Sequence, residues 1–329
     1  MINFKKIAIL TVAAFLLVTS FSPLALASDM KIGFVPMTLS NQYFITMVNG
    51  AKEKAEELGI ELNVQAPRTH ASAQNQLRII ENMITRNVDA ICLVPSSSEG
   101  LVAALGKAQR AGIPIVNLDT RISPQALEDA NLNPIPYIGT DNYVGAKKAG
   151  EKALEMLNGD GKVAILTGVP GQENTRDRKN GFIDVVEGKL EIVATQTANW
   201  EVSEGYNATQ NILQANPNLD LIFGSNDGMA LGAMRALREA GKMDEVKVIG
   251  YDAIPPGLKS VKQGEMDATV AQFPAEMGKK GVMTAKQIVE GSTIAIDMIE
   301  NTPTKLITQD NIAQMMEYLD PYTDKNLTN

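Results

Sequence analysis

From Lys31 to Gln272 the chain alternates short apolar runs with stretches of helical periodicity, almost without a break. That pattern constrains the fold more than any other feature, because parallel strands need long crossovers and helices supply them. The first series reads "KIGFVPM", "IELNVQA", "DAICLVP", "PIVNLD" and "YIGTD", with amphipathic stretches between successive runs except before "YIGTD". A second series follows, "KVAILTG", "EIVATQTA", "LDLIFGS", "VKVIGYD" and "DATVAQ", again with helical stretches between. The expected fold class is α/β, with two similar lobes, each a parallel sheet flanked by helices. Gly59, Gly112, Gly159 and Gly241 each follow an apolar-periodic stretch, as helix C-caps do. "SPQALEDANLNPIP" reads as a surface loop, and the tail from Met315 as one apolar turn that docks briefly and then frays.

Residues 1–27 stand apart from this alternation. Lys5 and Lys6 precede the apolar "IAILTVAAFLLV", and "ALA" ends at Ala27, which together read as a secretory signal cleaved after Ala27. Cleavage removes two lysines and no acidic residue, taking the formal charge from −8 to −10. An acidic chain of this kind argues against nucleic acid and anionic membrane surfaces, which require clustered Lys and Arg. The lone cysteine, Cys92, lies inside an apolar run and reads as a core thiol. The lone histidine, His70, lies in the polar stretch "RTHASAQ" and reads as solvated, which leaves no basis for a His-built metal site or a Ser-His-Asp triad.

In open parallel sheets, ligands sit beyond the carboxyl ends of the strands, so the residues just after each apolar run are the informative ones. They are Asn41, Tyr43 and Phe44; Asp119 and Arg121; Arg176 and Arg178; Asn199 and Trp200; Asn226 and Asp227; Asp252; and Gln272. This set has no glycine loop for phosphate, no Cys and no His. Amides, carboxylates and guanidiniums with large aromatics suit a hydroxyl-rich ligand, whose hydroxyls both donate and accept and whose C–H faces lie against rings. Asp227 reads as the N-cap of "DGMALGAMRAL" and Arg176 as part of a solvated turn. A two-carboxylate glycoside hydrolase using Asp119 and Asp252 is the enzymatic alternative. Arg121 and Arg178 nearby would hold both carboxylates ionised and oppose the general-acid role.

"TLSNQYF", "NLDTR", "TDN", "RDRKNGF", "NWE", "SNDGMALGAMRAL", "VIGYD" and "ATVAQFP", in this order, resemble the periplasmic sugar-binding proteins of ABC importers. The likeness is to their ribose/allose cluster, which shares its two-lobed fold with the effector domains of LacI-type repressors. The signal sequence occupies the place where a repressor would carry its helix-turn-helix. The resemblance implies two lobes joined by a three-crossover hinge, residues 28–139 with 273–304 and residues 140–272 with 305–329. It implies ligand contacts at Asn41, Tyr43, Phe44, Asp119, Arg121, Arg178, Trp200, Asn226, Asp252 and Gln272. It further implies a monomeric, non-enzymatic periplasmic protein with neither cofactor nor metal. Its partners would be a monosaccharide or polyol, an inner-membrane ABC permease and, in a sensory role, a chemoreceptor or sensor kinase. Three departures stand out: Thr120 separates Asp119 from Arg121, Met37 replaces a polar side chain, and Gln42 replaces a proline. The loss of a polar partner at Met37 suits a deoxy sugar or a linear polyol.

Overall fold

Every strand and helix of the two alternating series is present in the computed structural model, which describes residues 30–70, 72–292 and 299–323. The secretory-signal reading falls outside the described residues. In the first half of the chain, β1 (Lys31–Val35), α1 (Gln42–Leu58), β2 (Glu61–Val64), α2 (Ala73–Thr85), β3 (Ala90–Leu93) and α3 (Val102–Arg110) lead to β4 (Ile115–Leu118), α4 (Pro124–Asp129) and β5 (Tyr137–Thr140). The second half begins with α5 (Asn142–Met156), β6 (Lys162–Thr167), α6 (Glu173–Val186), β7 (Glu191–Thr197), α7 (Val202–Ala215) and β8 (Leu221–Gly224). It continues through α8 (Asp227–Glu239), β9 (Lys247–Asp252), α9 (Pro255–Gln263), β10 (Ala268–Ala271) and α10 (Pro274–Val289). β11 (Ile299–Thr302), β12 (Lys305–Ile307) and α11 (Ile312–Leu319) complete the described chain.

The strands form two six-stranded sheets of matching order, β11-β5-β4-β3-β1-β2 and β12-β10-β9-β8-β6-β7. The first is parallel throughout, but β12 runs antiparallel to β10, so the second sheet departs from the all-parallel expectation at one edge. The chain passes between the sheets after β5, after β10 and between β11 and β12. Each sheet is covered on both faces: Ala90 and Cys92 of β3 pack on one side, Ile91 and Leu93 on the other. Two-sided burial is why these strands read as continuous apolar runs.

α10 was not among the expected helices, and it closes one face of the first sheet by crossing α1 at very short range. A Cβ on Gly50 would lie 2.3 Å from the Ala275 carbonyl oxygen, and one on Gly278 2.1 Å from that of Met47. The expected loop after Ser123 contains α4 instead, with Ser123 accepting from the Ala126 amide and Pro124 at its first turn. The tail also docks further than expected. α11 joins the second lobe's core through Ile312, Met315 and Leu319, and Tyr322 then reaches the first lobe's helices. There the Tyr322 carbonyl accepts from Asn49 at 2.8 Å and its hydroxyl from Lys279 at 2.6 Å.

Candidate functional site

Strand order reverses around β1/β3 and around β6/β8, which opens a crevice at the carboxyl ends of those strands. The two crevices face each other across one narrow cavity. Met37, Asn41, Tyr43, Phe44, His70 and Asp119 line it from the first lobe, and Asn174, Arg178, Trp200, Asn226 and Asp252 from the second. The lobes meet around it: Gln172 donates to the Ser96 carbonyl at 2.9 Å, the Glu173 amide to Ser98 Oγ at 3.1 Å, and Asn174 to Thr120 Oγ1 at 3.0 Å.

Arg178 is the electrostatic centre of the site. Its Nε donates to Asn142 Oδ1 at 2.7 Å, and Nη1 donates to the Ser225 carbonyl at 2.8 Å and to Asp252 Oδ1 at 3.0 Å. The guanidinium carbon lies 3.8 Å from the Tyr251 ring centroid and 5.3 Å from that of Trp200. Burial works against the cation, but Asp252, Tyr251 and Asp119 outweigh it and raise its pKa. Among the described residues Nη2 has no hydrogen-bond partner, so its two N–H groups are available to a ligand.

Asp252 Oδ1 also accepts from Gln272 Nε2 at 2.7 Å, and among the described residues no donor reaches Oδ2. Burial pushes the Asp252 carboxyl up to about 6 against the pull of Arg178 and Gln272, so it is ionised at neutral pH. Asp119 receives the Tyr43 hydroxyl on Oδ1 at 2.8 Å and the Thr120 hydroxyl on Oδ2 at 3.1 Å. Burial raises its pKa, while Arg178 and these two hydroxyls hold it back. Asn226 caps α8 by accepting from the Met229 amide at 2.8 Å and donates to the Trp200 carbonyl at 3.2 Å, keeping one N–H in reserve. Trp200 is fixed by Nε1 donating to Gln172 Oε1 at 2.7 Å and by a ring packed so close to Gly168 that a Cβ there would lie 1.9 Å away.

Asp119, Asn199, Trp200, Asp252 and Ala253 all have positive φ, from 47° to 103°. Such backbone strain gathers at functional sites, where surrounding contacts hold it in place. Here it aims side chains from strand ends into one small volume.

Of the ten expected contacts, eight line the cavity: Asn41, Tyr43, Phe44, Asp119, Arg178, Trp200, Asn226 and Asp252. Gln272 is fully buried behind Asp252 and acts on it rather than facing the cavity. Arg121 lies outside. Thr120, inserted after the left-handed Asp119, turns it away, and its guanidinium sits 5.7 Å from the Tyr137 ring centroid. Asp227 is not the cap of α8 but its first residue, fully buried, accepting from Thr269 at 2.6 Å and from the Ile254 amide at 2.9 Å. Arg176 is exposed and pairs with Asp177 and Glu173, as expected. His70 is a correction: it is 3% exposed and lines the cavity, held by Asn41 and Glu201. Asn174 was missed, although it lies one helical turn before Arg178 on α6, a spacing that places both on one face. Among the described residues no group of three or more His, Cys, Asp or Glu could hold a metal ion, and no helix is long and apolar enough to cross a membrane.

Comparison with known proteins agrees with this architecture. The family model for the periplasmic binding protein domain matches residues 32–293. The chain is 36% identical over 283 residues to the D-ribose/D-allose-binding protein of Pseudomonas aeruginosa, covering 84% of this chain and 88% of that protein. It is 34% identical over 293 residues to the ribose import binding protein of Escherichia coli, covering 89% and 95% respectively. A crystal structure of an ABC transporter periplasmic solute-binding protein from Actinobacillus succinogenes, with bound D-allose, superposes with a TM-score of 0.82. It is 37% identical to this chain and covers 87% of it and 99% of its own. With matching sheets, a cavity between them and homology along nearly all the described chain, this protein belongs to the periplasmic binding protein family.

Proposed function

We propose that this protein is the periplasmic solute-binding component of an ABC sugar importer, secreted by cleavage after Ala27. It closes two lobes, residues 28–139 with 273–304 and residues 140–272 with 305–329, around one monosaccharide or polyol and delivers it to an inner-membrane permease. The observation that carries this reading is the cavity itself, whose acceptors Asp119 and Asp252 and donors Arg178, Asn226 and Asn41 come from both lobes, between the rings of Phe44 and Trp200.

A ligand bridging the lobes stabilises the closed state by contacts the open state cannot make. Desolvation between the lobes makes each unmatched hydroxyl cost about 1 to 3 kcal/mol, which is the source of discrimination among sugars. The hydrolase alternative is disfavoured because the relatives are sugar-binding and import-binding proteins.

Mass spectrometry of co-purifying small molecules, followed by a thermal-shift panel of pentoses, hexoses, deoxy sugars and polyols, tests the reading. A ligand at 100 times its dissociation constant adds about 2.7 kcal/mol of stability. A panel in which no compound raises the melting temperature, with nothing co-purifying, overturns it.

A further inference from the structure

Of the hydrogen bonds between the lobes, one joins a cavity-lining side chain of the first lobe to a side chain of the second that lies outside the cavity. His70 Nδ1 lies 2.9 Å from Glu201 Oε1 of the opposite lobe, and Nε2 lies 3.3 Å from Asn41 Nδ2 of its own. The tautomer follows from the neighbours. Asn41 Oδ1 accepts from the Tyr43 amide at 2.9 Å to cap α1, so its NH₂ group must face His70. Nε2 therefore accepts, Nδ1 carries the proton, and Nδ1–H donates across the cleft to the Glu201 carboxylate. This bond, with a second from the His70 main-chain amide, holds the Glu201 carboxyl below its ordinary pKa.

Glu201 occupies the N-cap position of α7, where Ser, Thr, Asp or Asn would accept from the first-turn amides, but its side chain makes no capping bond. It does not line the cavity, whereas His70 does. We propose that the His70–Glu201 pair is a latch between the lobes, made only on closure, that retains the ligand through a residue the ligand never touches. The inference rests on the hinge-closing reading above. Glu201 would be a positioning residue: it locks the His70 ring, and through it the Asn41 amide, against the cavity.

The test uses tag-free, ¹⁵N-labelled protein, whose single histidine gives one set of imidazole signals, and the tightest binder of the sugar panel. The expected result is an Nδ1–H tautomer in the sugar complex and a different tautomer balance in the ligand-free protein. In stopped-flow measurements Glu201→Ala should release the sugar about three to ten times faster at an unchanged association rate, the scale of one partly exposed charge-assisted bond. Glu201→Gln, which keeps an acceptor for Nδ1–H, should release within about twofold of wild type. If Glu201→Ala lowers the melting temperature of the ligand-free protein, the tautomer and the Gln variant decide. Release from Glu201→Ala at the wild-type rate, or a proton on Nε2 in the complex, overturns the latch while leaving sugar binding intact. A wild-type protein that binds no sugar removes the hinge-closing reading and the latch together.

Discussion

On the second lobe's side of the cavity, Arg178 is locked by three hydrogen bonds and stacked between the rings of Tyr251 and Trp200, with Asp252 as its ion-pair partner. On the first lobe's side the only carboxylate, Asp119, is propped by two neutral hydroxyls, and the rest of the wall is Met37, Phe44, Tyr43, an amide and an imidazole. The same topology thus yields a charged, pre-organised cradle in one lobe and a mostly uncharged cover in the other. The difference teaches where the fold and the site depend on each other. In the cradle, each ligand-facing group is also a structural group; in the cover, the one charge is held by hydroxyls and has no counter-ion paired to it.

The largest expected effect breaks the cradle. Arg178→Ala leaves Asp252 buried without its counter-ion, so calorimetry should show sugar affinity lost by at least about a hundredfold and denaturation a stability loss of about 3–5 kcal/mol. Asp119→Asn tests the cover. Asparagine tolerates the left-handed backbone at this position and can still accept from Tyr43, so affinity should drop about tenfold with folding stability within about 1 kcal/mol of wild type. Equal stability losses in the two variants would erase the distinction between the walls.

pH sharpens it further. The Asp252 carboxyl is raised to about 6 in the folded protein, above its unfolded value, so between roughly pH 4 and 6 the folded state binds more protons. Its contribution to ligand-free stability therefore grows as pH falls from 7 to 5. Sugar hydroxyls donating to the ionised form should bind about tenfold more weakly at pH 5 than at pH 7. Thermal shift and calorimetry should move in opposite directions, and parallel movement would remove Asp252 as a ligand acceptor. The smallest effect is expected at Arg121, which faces Tyr137 outside the cavity: Arg121→Ala should leave affinity within about twofold. A tenfold loss there would return Arg121 to the site.

The sheets were legible because a two-sided strand must be apolar along its whole length, and a parallel pair must be bridged by a helix. Most of the site was legible for a related reason: its residues follow strand ends, where a parallel fold gathers its ligand groups. What escaped depends on turns and on distance. Arg121 looked like a contact because position in sequence cannot show that a left-handed Asp119 followed by Thr120 swings the next side chain outward. His70 looked solvated because "RTHASAQ" is polar, but it packs against Asn41 and Phe44 and pairs with Glu201, 131 residues away on the other lobe. α10 and β11 lay beyond the second alternating series, where no third repeat announced them.

Cys92 carries a practical consequence. It is the chain's only cysteine, lies in the middle of the first sheet with no exposed surface, and burial raises its thiol pKa far above the range where thiolate forms. Maleimide chemistry would therefore find no native target in the folded protein. A single cysteine placed on the cleft rim, for instance at the half-exposed Val202 beside Glu201, could be coupled to one environment-sensitive dye and turn lobe closure into an optical signal.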